Sequence, residues 1–141
     1  MGKINVARLI VGGIVAGIAI DLLDWLVDGV LLAPRWANGM ALLGKPGFSP
    51  VQILWFDVLG LLTGLAAIWL YVAIRPRFGA GAKTAIIAGL AVWFIGVFLP
   101  NVGLMYVPKL FSKHLTLYTT LGGLVEVVFG ALAGASVYRE S

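Results

Sequence analysis

The stretch 13–28, GIVAGIAIDLLDWLVD, decides how this chain is read. It is apolar enough for the hydrocarbon core of a membrane, yet it holds Asp21, Asp24 and Asp28. Gly13, Gly17, Asp21, Asp24 and Asp28 follow one another at helical spacing, so all five share one face of a helix. A charged side chain at the centre of a membrane helix costs ~2.5–3.5 kcal/mol on insertion scales, so such a group turns towards protein or water. Small residues on the same stripe let a neighbouring backbone approach closely. The stretch therefore predicts a membrane helix whose glycines pack on other helices and whose acids point into the bundle.

The whole chain carries the same contradiction. Of its 141 residues 61% are hydrophobic and 11% are charged, and the mean hydropathy is +1.04. A soluble domain is nearer half apolar and a quarter charged, so this composition belongs to a membrane protein with almost no soluble part. Five of the six carboxylates (Asp21, Asp24, Asp28, Asp57 and Glu126) lie in apolar stretches, and only Glu140 is expected in water. The net charge of +4 comes from basic residues in short loops and at the termini, where they set topology, which argues against nucleic-acid binding. The absence of cysteine excludes disulfides, thiolate zinc sites, cysteine-held clusters and a cysteine nucleophile.

Four stretches are long enough to span ~30 Å of hydrocarbon: 4–32, 51–74, 84–107 and 115–138. The first is too long and too acidic for a cleaved leader and reads as a retained span. The prediction is an all-α, single-domain, four-helix transmembrane bundle with both termini in the cytoplasm. That orientation rests on Lys3, Arg8, Arg75, Arg77, Lys83 and Arg139 on one side, against Arg35, Lys45, Lys109 and Lys113 on the other. Prolines at 34, 46, 50, 76 and 108 are expected to end or precede helices. The connection 33–50 is apolar at 36–43, as expected of a short interfacial helix or a lid over the bundle mouth. Trp36, Phe48, Tyr106 and Phe111 would form an aromatic belt at that edge.

Helical rise converts position to depth. Counted from the cytoplasmic ends at about 1.5 Å per residue, Asp21, Asp57 and Asn101 lie roughly 24–25 Å in and Glu126 roughly 18 Å in. Each span thus brings one polar group to a similar layer, with Asp24 and Asp28 leading from it to the outer surface. Asp57 shares a stripe with Gly60, Gly64, Ala67 and Tyr71, and Glu126 shares one with Thr119, Gly122, Gly130 and Ala133. Asn101, beside Pro100, adds an amide and a freed carbonyl near Gly96 if the proline kinks the third span.

No lysine or arginine lies at that depth. The acids then share protons, bond to one another as packing glue, or hold a cation. If a metal is held, Asp21, Asp57 and Glu126 are the expected ligands. Arg35, Lys45, Lys109, Lys113 and His114 are the nearest positive groups, and Lys113 with His114 could serve as a gate or relay. Two-histidine haem ligation is excluded by the single histidine, and Glu126 has no histidine partner for a di-iron motif. No nucleotide, phosphate-loop, hydrolase or metalloprotease motif is present, and no cofactor is expected beyond a bound cation.

Across Leu70-Tyr71-x-x-Ile74-Arg75-Pro76-Arg77-Phe78-Gly79-x-Gly81-x-Lys83-Thr84-Ala85, and then Ala88-Gly89-Leu90-Ala91-Val92-Trp93, the chain resembles a family of small four-helix bacterial membrane proteins with no assigned activity. The resemblance covers the second and third spans, about a third of the chain. It implies a bacterial inner-membrane location and no mechanism, and the acids of the first span lie outside it.

Three functions fit these residues. The favoured one is an acidic intramembrane pocket for a proton, cation or amine, in a protein that binds, senses or transports as a homo-oligomer. A second is an accessory subunit of a larger membrane complex. A third is an intramembrane acid/base enzyme acting on an apolar substrate, although no catalytic motif marks it.

Overall fold

A computed structural model describes residues 3–139; Glu140 lies outside the described residues. Every element among them is helical. Helix α1 (Val6–Asp24) continues through π-helical turns at Trp25–Leu31, and α2 (Ala33–Leu42) follows at once. Helix α3 is Pro50–Phe78, and α4 (Ala82–Trp93) runs through π turns at Phe94–Phe98 into α5 (Leu99–Tyr106). Helix α6 is Lys113–Val137. Four continuous helical stretches are long and apolar enough to cross a membrane: Val6–Leu31, Pro50–Phe78, Ala82–Tyr106 and Lys113–Val137.

Local sequence sets the ends. Asn5 caps α1 by accepting from the Arg8 N–H, and Ser112 caps α6 by accepting from Leu115. Ser49 and Gln52 form a reciprocal capping box with Pro50 in the first turn of α3. Pro76 departs from expectation, for α3 runs through it to Phe78 and stops only at Gly79, whose φ is 85°. Pro34 and Pro100 each follow a π segment closely. Proline lacks an N–H and its ring pushes on the carbonyl four residues back, which favours wider turns just upstream. The Leu32 N–H accordingly reaches Val27, and the Leu99 N–H reaches Phe94, each five residues back.

Around the bundle α1 lies between α3 and α6, and α4 lies between the same two on the far side. Glycines set the contacts. A Cβ on Gly64 would overlap the backbone of Gly13 and Gly17, and one on Gly17 would lie 2.6 Å from the Leu61 Cα. Gly134 meets Gly12, Gly130 meets Ala16 and Ile20, and Gly122 meets Val27, which fixes the register of α6 on α1.

The two ends of the bundle differ. At the end bearing the termini, Ala16, Ile68, Tyr71, Val72, Ala85, Ala88 and Tyr138 form one buried cluster. Tyr71 and Tyr138 meet edge to face at 6.2 Å. Their hydroxyls accept from the Gly81 and Asn5 N–H groups at 3.2 and 3.4 Å. This end is shut. At the other end residues 51–57 of α3 are all exposed, and no residue of α5 is buried. The spans diverge there and leave a mouth, across which α2 reaches to the start of α6. Met40 is buried, Gly39 abuts Phe111 and Leu115, and the Trp36 and Phe111 rings lie 5.2 Å apart.

Candidate acidic chamber

The acids gather at this open end. Oxygens of Asp24, Asp28 and Glu126 all lie within 4.8 Å of one another. Asp24 ends the α-helical part of α1, Asp28 stands one wide turn on, and Glu126 enters from the middle of α6. The register explains the meeting. With Gly130 against Ile20 and Gly122 against Val27, Glu126 comes to the height of Asp24. Glu126 is only 6% exposed, and its Oε1 is buried without a hydrogen-bond partner. A buried oxygen of that kind costs ~1–3 kcal/mol, more if charged. Its environment asks for a proton or a cation.

Asp24 and Asp28 face each other across one turn, with oxygens within 4.8 Å. Asp28 Oδ1 accepts from the Trp36 indole at 2.7 Å. That bond ties α2 to the acidic turn, and Pro34 between the two residues starts the new helix that brings Trp36 back over Asp28. Trp36 is the contact to the acids that helix-by-helix reading missed. Its polar N–H, placed eight positions after an acid and across a proline, was the only signal.

Beside the three acids lies a cavity of about 460 Å³ between the π turns of α1, α2 and the start of α3. Trp25, Trp36, Phe48 and Phe56 supply aromatic wall, while Asp24, Asp28 and Asp57 supply carboxylates. Phe48 stands edge to face with both Trp36 and Phe56, at 5.5 and 5.4 Å. Among the described residues that line it there is no lysine, arginine or histidine.

The remaining sequence candidates fall elsewhere. Asp21 and Asp57 are outside the three-oxygen group. Asp21 packs against α3, where a Cβ on Gly60 would overlap its carboxyl. Asp57 is exposed and lines the cavity. Asn101 donates to the Thr120 hydroxyl at 2.9 Å, while Trp93 donates to the Thr120 carbonyl at 2.9 Å. That amide joins two spans, and Asn101 belongs neither to the three-oxygen group nor to the cavity lining. Lys113 lies over the Tyr106 ring at 5.7 Å and His114 is exposed; neither lines the cavity. Arg35, a candidate partner for Asp24 or Asp28, lies over the Tyr118 ring at 4.9 Å.

Three carboxylate oxygens so close suit a hard cation with oxygen ligands. At metal–oxygen distances of about 2.3–2.6 Å, oxygens across a Ca²⁺ shell stand about 4.6–5.2 Å apart. The spread at this site is of the right size for one ion. No family profile, curated protein or solved structure matches the chain, so the site's chemistry speaks for itself.

Proposed function

We propose that this chain is a small integral membrane protein that binds a divalent cation between Asp24, Asp28 and Glu126. The observation that carries the reading is the buried, unpartnered Oε1 of Glu126 in a group of three carboxylates. Such an arrangement of acids is repulsive when empty and ionised, and a cation relieves both the repulsion and the unmet oxygen. Oxygen-only ligands favour the Ca²⁺, Mg²⁺ and Mn²⁺ class over zinc or copper.

The apolar outer surface supports a bilayer setting. Leu22, Leu62, Trp69 and Phe129 are each more than half exposed, on stretches long enough to span one. The basic residues favour cytoplasmic termini, which turns the α2 end outward. A bacterial inner membrane is part of the proposal, resting only on the sequence pattern of the second and third spans. An open outer mouth above a packed inner end suits a protein that takes its ion from outside and senses or stores it. A conducting path would need a second opening.

Thermal unfolding of the purified protein in a neutral detergent tests the reading. Ca²⁺, Mg²⁺ or Mn²⁺ at a hundred times its Kd should stabilise the wild type by ~2.7 kcal/mol, and EDTA should reverse it. Glu126→Gln should lose that response, since it replaces a ligand oxygen and removes a charge. A wild type indifferent to all three ions contradicts the proposal.

A further inference from the structure

The cavity beside the three acids is larger than an ion needs, and its walls have a definite chemistry. Four aromatic side chains and three carboxylates face about 460 Å³. Carboxylates attract an ammonium group by charge, and aromatic faces attract it through their quadrupoles. No basic side chain among the described lining residues competes for the acids.

The shape adds a second requirement. One turn from the lining residues Asp24 and Asp57, α1 and α3 touch where Asp21 meets Gly60. Above that contact residues 51–57 of α3 are all exposed, and the cavity lies between them and α1. Trp25 and Ile53 line the same cavity and are 65% and 51% exposed, so it is open on their side. In a bilayer that side faces acyl chains. A ligand seated here meets acids at its inner end and lipid at its outer end.

We infer that the cleft between the π turns of α1 and the first turns of α3 binds an amphiphile with an ammonium head. The head lies among Asp24, Asp28 and Asp57 within the aromatic walls, and the tail leaves past Trp25 and Ile53. This shares with the proposed function the premise that the acids draw positive charge, but it uses Asp57 and the aromatic walls, which the ion site does not need.

The test is binding to the full chain in a neutral detergent, read by tryptophan fluorescence and by native mass spectrometry. The probes are dodecylammonium, ethylammonium and dodecanol. Dodecylammonium should bind, with ethylammonium (no tail) and dodecanol (no charge) about tenfold weaker or worse. Asp57→Asn and Trp25→Ala should each weaken dodecylammonium binding by about tenfold, a loss of about 1.4 kcal/mol. Phe129→Ala, on the outer face of α6, should change it less than twofold. Equal binding of dodecanol, or of ethylammonium, overturns the inference, as does indifference to both Asp57→Asn and Trp25→Ala.

Glu126→Gln separates the two claims, because Glu126 is not among the cavity's lining residues. It should abolish the divalent response while dodecylammonium still binds, weakened less than by Asp57→Asn. Divalent stabilisation without dodecylammonium binding sinks this inference alone, and the reverse sinks the ion site alone.

Discussion

The indole N–H of Trp36 donates to Asp28 Oδ1 at 2.7 Å, joining the helix across the bundle mouth to the acid turn beneath it. A hydrogen bond to a charged acceptor contributes ~1.5–3 kcal/mol, against about 1 kcal/mol for a neutral pair. Trp36→Phe keeps the ring contacts with Phe48 and Phe111 and deletes only the donor. Hydrogen exchange should then quicken in α2 (Ala33–Leu42) and stay unchanged at the end bearing the termini. Unaltered exchange in α2 would mean that aromatic packing alone holds it down.

The Gly64 contact makes a stability prediction. A side chain there must push α1 from α3, because it would meet the Gly13 and Gly17 backbone rather than a flexible side chain. Gly64→Ala should cost ~1–3 kcal/mol as an overpacking change, seen as easier unfolding in denaturing detergent. Gly96→Ala is the matched control, since nothing lies within 4 Å of a Cβ at that position. It should be neutral or stabilise slightly.

Much of this packing was legible in the chain. The spacings of Gly13 with Gly17 and Gly60 with Gly64 announced close approach; Gly64 does meet Gly13 and Gly17, while Gly60 meets the Asp21 carboxyl. The acid site was legible only in part. Glu126 was readable as buried from its glycine stripe. Its partners were not, because depth counted from helix ends ignores the register in which Gly130 and Gly122 seat on α1. Asp57 shares a stripe with Gly60 and Gly64, yet residues 51–57 of α3 are all exposed and Asp57 lines the cleft. Periodicity of 3.6 residues also cannot announce π turns at Trp25–Leu31, which follow from the downstream proline. Asn101 stood at the expected depth, but the Thr120 hydroxyl claims it.

Thr120 gives a prediction that separates scaffold from site. Thr120→Val removes the acceptor of the Asn101 amide and keeps the backbone carbonyl that Trp93 uses. The loss should be about 1 kcal/mol of stability, with divalent affinity unchanged in a titration of the folded protein. A fall in ion affinity would place Asn101 in the site after all.

At the shut end, Tyr71→Phe removes the hydroxyl that accepts from the Gly81 N–H and keeps the ring against Tyr138. It should destabilise by ~0.5–1.5 kcal/mol, as a shift in thermal midpoint. The ion-induced stabilisation should keep its full size, since the two ends of the bundle do separate jobs.

The most direct test is anomalous diffraction from crystals of the protein grown with Mn²⁺. The account predicts one peak enclosed by Asp24, Asp28 and Glu126, at about 2.0–2.6 Å from an oxygen of each, and no such peak in Glu126→Gln crystals. Manganese absent from that position in well-ordered wild-type crystals, with the three carboxyls bonded only to one another, would contradict it.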